Sequence, residues 1–267
     1  MPTLRCVPLF LVSILVSSAP AAEAQVTKDP QALSVLTQMA ASTGWNRLNV
    51  PRDAVATGNV TRYQGTTQET ASFTMKVKSC RTHRVDVQDS AGNRSTIVNG
   101  DSAAVVTASG AAFIPPHSAV SMQGIALPFF CDLATFSDAN VSLHYSGTQN
   151  IAGQLAHRVE ISRIPAANEP LAAAKQRASR LTVWILTANA LPVQIASTTM
   201  AIDNPSAETT TIRGLSDYRR VGGVAVPFHQ QVHQADGQLL YTLQLTSINF
   251  NVGVSDADFG LPATQPK

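Results

Sequence analysis

Apolar and polar residues alternate along most of this chain with the two-residue period of β-strands. In one run, Phe73, Met75 and Val77 share one face, while Thr74 and Lys76 share the other. Successive side chains of a strand point to opposite faces of a sheet, so this run predicts a half-buried strand.

Similar strand-like runs fill two stretches, residues 55–108 and residues 141–250, with short turns rich in Gly, Asn and Asp between them. Short turns predict that consecutive strands pair antiparallel. In residues 239–250 the apolar phase switches between Leu245 and Ile248, which predicts a β-bulge.

Two segments depart from this pattern. Residues 30–44 have apolar positions at helical spacing, a capping Asp29 and a terminal Gly44, and they predict a helix. Its apolar stripe comprises Leu33, Leu36, Met39 and Ala40. Residues 109–140 contain several prolines and no strand period, so we expect a long, partly helical loop. Such excursions serve as lids, binding elements or plain connections.

The first 24 residues have the form of a secretory signal peptide. An apolar run of about eleven residues precedes Ala22-Glu23-Ala24, and it is too short to cross a bilayer of roughly 30 Å as a helix. An amphipathic or buried N-terminal helix is the alternative. We therefore expect cleavage near Ala24 and a periplasmic or secreted protein. Residues 25–260 then form a single domain, and residues 261–267 a flexible tail.

Composition narrows the function classes. The formal net charge of +2 gives no electrostatic argument for binding nucleic acid or an acidic membrane surface. The sequence contains no second long apolar segment that would predict a membrane span. After cleavage, about 240 residues remain, enough for one large β domain with a proper core.

Two cysteines, Cys80 and Cys131, remain after the signal peptide. In an oxidising compartment a disulfide between them is the favoured state, and it would close a loop of about fifty residues. Two separate buried thiols are the alternative, because the sequence does not show how close the two Cα atoms come.

A search for catalytic chemistry finds little. His229 and His233 have i,i+4 spacing, but their surroundings predict a strand, on which four residues span about 13 Å, too far for one metal ion. No nucleophile motif or phosphate-binding loop occurs. We therefore expect no metal, no cofactor and no enzymatic activity. A hydrolase with dispersed catalytic residues is the remaining catalytic alternative.

A curved sheet packed against a helix can leave a concavity for an apolar ligand. The candidate inward-facing residues are Phe73, Met75, Val77, Val159, Ile161, Val183 and Ile185. An ordinary core position is the alternative interpretation of each of them.

Several short segments resemble periplasmic lipoprotein carriers of the LolA/LolB type and their outer-membrane lipoprotein-sorting relatives. The segments are 79–86 (Ser-Cys-Arg-Thr-His-Arg-Val-Asp), 97–101 (Ile-Val-Asn-Gly-Asp), 157–161 (His-Arg-Val-Glu-Ile), 181–185 (Leu-Thr-Val-Trp-Ile), 191–193 (Leu-Pro-Val), 217–227 (Asp-Tyr-Arg-Arg-Val-Gly-Gly-Val-Ala-Val-Pro), 248–249 (Ile-Asn) and 258–259 (Asp-Phe). The order of elements is also similar: a signal peptide, a helix, and a meander interrupted once by a long loop.

The resemblance implies a curved antiparallel half-barrel of about ten strands, closed by the N-terminal helix and the loop 109–140. It also implies that Arg81 corresponds to the family's functional arginine and steadies that loop; a surface arginine is the alternative. The sequence departs from the family at residues 103–105, where Ala-Ala-Val replaces the usual aromatic residue. Aromatic residues make up only 6% of the chain, so a cavity rich in aromatic rings is not expected.

The leading hypothesis is a non-catalytic periplasmic carrier or sensor. It would bind a lipid, a lipoprotein acyl chain or another apolar ligand in the concave sheet. The alternative is an envelope protein-interaction or structural module with a filled core, which would bind a protein partner and no small ligand. An apolar groove that opens on the concave face would separate the two.

Overall fold

The computed structural model describes residues 26–45, 51–79, 81–123 and 135–263. Within these ranges the chain forms one sheet of thirteen strands, three α-helices and a short 3-10 helix. The strands are β1 Ala54–Gln64, β2 Thr67–Ser79, β3 Thr82–Asp89, β4 Gly92–Asn99, β5 Ser102–Thr107, β6 Gly110–Ile114, β7 Val141–Ile151, β8 Gln154–Arg163, β9 Leu181–Leu186, β10 Pro192–Met200, β11 Glu208–Val221, β12 Val224–Gln234 and β13 Leu239–Phe250. The helices are α1 Pro30–Thr43, α2 Pro116–Met122, α3 Ala172–Ala178 and the 3-10 helix Asp256–Phe259.

The sheet consists of two antiparallel meanders joined at its centre. Its order is β6-β5-β4-β3-β2-β1-β13-β12-β11-β10-β9-β8-β7, and all of these strand pairs are antiparallel. The chain starts in the middle, runs to the β6 edge, crosses to the β7 edge and returns to the middle. The sheet is curved and does not close into a barrel. The predicted half-barrel is confirmed, with thirteen described strands in place of about ten.

The predicted bulge lies at the junction of the two meanders. Thr57 pairs with Ser247, but the next residue, Gly58, pairs with Leu245, so Thr246 is the extra residue. This insertion lets both Leu245 and Ile248 point into the core, where both are buried. Gly58 is required here, because a Cβ would collide with the Gln244 carbonyl oxygen.

Helix α1 has the predicted ends. Asp29 Oδ1 accepts a hydrogen bond from the backbone N–H of Gln31 at 2.8 Å, and Gly44 ends the helix with a φ of 76°. Asp29 Oδ2 also accepts from the N–H of Tyr145, which ties the start of the helix to β7 and holds the pKa of this carboxyl below its usual range. Within the predicted apolar stripe, Leu33 is exposed, and Val35 is buried in its place.

The segment 109–140 is more regular than the sequence predicted. Gly110–Ile114 forms the edge strand β6, paired with β5, and Pro116–Met122 forms α2. A short helix, α3, which the sequence pattern did not indicate, packs against α2. Residues 124–134 lie outside the described ranges, as do the signal-peptide prediction for 1–24, Cys80 and Cys131. The lid, the signal peptide and the disulfide therefore stay predictions.

Candidate functional site

The inner, concave face of the sheet divides into two parts. In the first part, α1 packs against β7, β8 and β12. We call the inner face of these strands and of the adjoining β9 the helix-covered part. Four predicted residues lie there: Val159, Ile161, Val183 and Ile185, all at most 5% exposed and in one core cluster with Leu36 and Met39 of α1. They form a packed core.

The second part contains an apolar cavity of about 230 Å³, lined by inner-face residues of β1–β4, β11 and β13 and by the end of α2. We call it the concave cavity. Its apolar and aromatic lining comprises Val60, Phe73, Met75, Val85, Val87, Met122, Tyr241 and Leu243. Its polar lining comprises Arg62, His83, Arg94, Thr96 and Arg213. Two of the predicted ligand-binding residues, Phe73 and Met75, are therefore cavity residues.

The strand register determines which residues lie beside one another at the cavity floor. Phe73 pairs with Gly58, and Met75 pairs with Ala56, so the large inner-face side chains of β2 stand opposite very small ones on β1. Gly58 and Ala56 do not line the cavity, because the Phe73 ring and the Gln244 carbonyl oxygen lie directly against Gly58; β1 contributes Val60 and Arg62 to the lining. On the other side of β2, Met75 pairs with Val85, which continues the apolar floor onto β3.

Three arginines line one end of the concave cavity. Arg62 pairs with Tyr241 across β1 and β13; Tyr241 pairs in turn with Val232, and Val232 with Arg213. Arg62 and Arg213 therefore lie in one transverse row of the inner face. Arg94, on β4, is the third.

The charge of the lining is positive. The Arg62 guanidinium lies 3.3 Å from Asp89 Oδ2, so this arginine has a carboxylate partner beside the cavity. Among the described residues that line the cavity itself, none is acidic. The cavity therefore combines an apolar floor with a positively charged end.

His83 lies on the inner face of β3 and is 3% exposed. Burial lowers its pKa to about 4, so the imidazole is neutral at neutral pH. Its Nδ1 is buried and has no hydrogen-bond partner among the described residues. An unpaired polar atom in an apolar wall is costly, and a ligand group or a water molecule in the cavity would relieve that cost.

Val77 and Arg81 do not line the cavity. Val77 is half-buried and packs against the core. Arg81 is exposed in the turn between β2 and β3 and pairs with Asp101. Gln123, at the end of α2, donates to the Gly100 carbonyl oxygen at 2.7 Å and to Asp101. Arg81 and Gln123 thus share Asp101 as a partner, and Gln123 belongs to the segment 109–140 that Arg81 was predicted to steady.

Sequence reasoning missed the arginines. Period-two alternation places Arg62 on the same strand face as Val60, and Arg213 on the same face as Leu215. A charged residue in phase with apolar ones is a signal of an unusual inner-face position. The signal was present in the pattern, but only the register brings these residues to one place.

Residues that could ligate a metal are dispersed over the described part of the chain. No group of three or more His, Cys, Asp or Glu residues there could hold a metal ion. His229 and His233 lie on strand β12, as predicted. None of the helices described is both long enough and apolar enough to span a membrane.

No protein-family model and no curated protein matches the sequence. Solved structures do match its fold. A DUF1329 family protein from Desulfovibrio piger superposes with a TM-score of 0.57 at 13% identity, covering 87% of this chain and 98% of that one. An outer membrane lipoprotein-sorting protein domain from Vibrio parahaemolyticus gives 0.55 at 11% identity, covering 86% and 96%.

A LolA superfamily protein from Nitrosomonas europaea gives a TM-score of 0.54 at 11% identity, covering 86% of this chain and 97% of that one. The chain therefore has the fold of the LolA superfamily and of outer-membrane lipoprotein-sorting proteins. At such low identity the likeness concerns the fold alone, and the function has to be argued from the cavity.

Proposed function

We propose that this protein is a non-catalytic carrier that binds an acyl chain, from a lipid or a lipoprotein, in the concave cavity. Export by a cleaved signal peptide would place this activity in the periplasm or outside the cell. The observation that carries the proposal is a cavity with an apolar floor on the inner face of the sheet, beside a helix-covered part that is packed.

The size of the cavity favours part of a chain over a whole lipid. Its volume of about 230 Å³ lies below the roughly 300–1,000 Å³ of pockets that enclose a drug-sized ligand. A segment of one acyl chain fits this volume, with the rest of the ligand outside. Each buried CH₂ contributes about 0.8 kcal/mol, so a few methylenes suffice for reversible binding.

The fold supports the same proposal by analogy. Two of the superposed structures are a LolA superfamily protein and a lipoprotein-sorting protein domain. A carrier needs no covalent step, which agrees with the weak catalytic signals in the sequence. The periplasmic location, the ligand and any envelope protein partner belong to the proposal.

The test is a substitution that places a larger side chain on the floor of the cavity. Val85 lines the cavity on β3, whereas Gln88 is an exposed residue on the outer face of the same strand. We expect Val85→Phe to weaken binding of the neutral fluorescent probe N-phenyl-1-naphthylamine about tenfold, because two or so methylene-sized contacts are lost. Gln88→Phe adds the same side chain elsewhere and should bind like the unchanged protein.

Native mass spectrometry of protein purified from the periplasm, before and after organic extraction, provides the second measurement. A discrete extra mass that extraction removes and that proves to be lipid supports the carrier. A protein without bound mass, together with no probe binding, overturns it and favours the interaction module.

A further inference from the structure

We propose that the concave cavity selects amphiphiles with a negatively charged head group, which Arg62, Arg94 and Arg213 hold while the acyl chain lies on the apolar floor. The inference rests on the proposed carrier function and adds to it the chemistry of the ligand's polar end.

The cavity is polarised along the strands. On β3 and β4, Val87 and Arg94 form one cross-strand pair, whereas Val85 and Thr96 form the next pair along. His83 pairs with Val98 one step further, towards the side where Met122 packs on Val98 and Ala103. The arginine therefore stands at one end of the apolar floor, and the end of α2 stands at the other.

The other two arginines lie at the same end of the cavity. On β1, Arg62 follows Val60 by one inner-face step, and Val60 follows Gly58, the partner of Phe73. The step from Phe73 towards Arg62 therefore points away from Met75. On β4 the same direction leads from Thr96, which lies in the row of Met75 and Val85, to Arg94. Arg213 shares the transverse row of Arg62.

Arg94 is the arginine at this end that can take up a new negative charge. Asp89 pairs with Arg62, but the described acidic side chains form no ion pair with Arg94. Partly buried guanidinium groups beside an apolar surface bind carboxylate or phosphate strongly, because the contact is a charge-assisted hydrogen bond in a region of low dielectric. An anionic head group is complementary to this end.

The opposite wall excludes charge. His83 is buried and neutral at neutral pH, and its neighbours in the cavity are Met75, Val85 and Met122. Desolvating a charged head group there would be costly without a partner. The two ends thus set one orientation, with the head group at the arginines and the chain directed towards α2.

Three ligands of equal chain length test the inference: dodecanoate, its uncharged methyl ester and dodecyltrimethylammonium. Each competes with N-phenyl-1-naphthylamine at neutral pH and below its micelle concentration. We expect dodecanoate to compete about tenfold more strongly than the ester, and the cationic ligand to compete least. Inorganic phosphate should not compete, because it lacks the chain.

Arg94→Gln is the variant of choice, because removal of the Arg94 guanidinium leaves no described carboxylate without its ion-pair partner. It should reduce the preference for dodecanoate over the ester to about twofold, and Arg94→Lys should restore most of it. Arg180→Gln is the matched control, since it removes an exposed arginine that pairs with Glu208 on the surface. The control should keep the preference of the unchanged protein.

The outcomes separate the two proposals. Equal binding of dodecanoate and its ester by the unchanged protein overturns the head-group inference and leaves the carrier intact. The head-group inference is also overturned if Arg180→Gln lowers the preference as much as Arg94→Gln does. No competition by any of the three ligands, together with no probe binding, overturns the carrier proposal as well.

Discussion

The helix-covered part and the concave cavity belong to one face of one sheet, yet they differ in what fills them. In the helix-covered part, Val159, Val183 and Ile185 are completely buried and belong to one core cluster with residues of α1. Across β1–β4, β11 and β13, inner-face residues such as Val60, Phe73 and Val85 line an open cavity. The same alternation therefore builds a core or a cavity, depending on what covers the face.

This difference assigns separate tasks to the two parts. A close-packed region stabilises the fold because each of its side chains has lost nearly all of its water contact. A region with unfilled space contributes less to stability but can take up a ligand. Changes in the helix-covered part should therefore affect the free energy of unfolding, whereas changes in the cavity should mainly affect binding.

The largest expected effect is a loss of unfolding free energy caused by a substitution in α1. Leu36 is fully buried, and Leu33, one turn earlier on the same helix, is 37% exposed. We expect Leu36→Ala to lower the free energy of unfolding by about 2–5 kcal/mol and Leu33→Ala by under about 1 kcal/mol, measured by urea denaturation. Equal losses would mean that α1 does not form the cover of a packed core.

The acid sensitivity of His83 is the next largest effect, and it belongs to the cavity. Its pKa is about 4 in the folded protein and about 6.5 in the unfolded chain. Between these values the unfolded chain binds more protons, so the free energy of unfolding should fall as the pH drops from about 6.5 to 4. The full difference is about 3 kcal/mol.

Urea denaturation of the unchanged protein and of His83→Leu at pH 7, 5 and 4 measures this contribution. The variant should lose less stability than the unchanged protein over this range, because it has no imidazole to protonate. His233→Gln is the control, since that ring contacts the Gly237 carbonyl oxygen at a turn. An identical pH dependence in His83→Leu and the unchanged protein would contradict the burial of a neutral imidazole.

Most of the fold could be predicted from the sequence. The helix with Asp29 and Gly44 at its ends, the meander on both sides of residues 109–140, and the bulge between Leu245 and Ile248 all follow from local patterns. Such features are local because caps, turns and period-two alternation depend on near neighbours in the chain. The short strand β6 was missed because five residues directly before Pro115 and Pro116 are too few to set a period.

The site was less accessible to sequence reasoning. Phe73 and Val183 show the same alternation and belong to the same core cluster, yet only Phe73 lines the cavity. The distinction depends on which strands the register brings beside Phe73 and on the placement of α1. Both are matters of register and packing between distant segments, which no local pattern encodes.

The smallest expected effect is the difference in unfolding free energy between the same substitution, Val to Ala, made in each of the two parts. Val183 is fully buried in the helix-covered part, whereas Val85 is half-buried and lines the cavity. Val183→Ala removes packed methyl groups and leaves a new void, so we expect it to cost about 2–3 kcal/mol of unfolding free energy. Val85→Ala enlarges an existing space and should cost about 1 kcal/mol. Urea denaturation resolves the difference. Equal costs would show that Val85 is as tightly packed as Val183 and would remove the distinction between core and cavity.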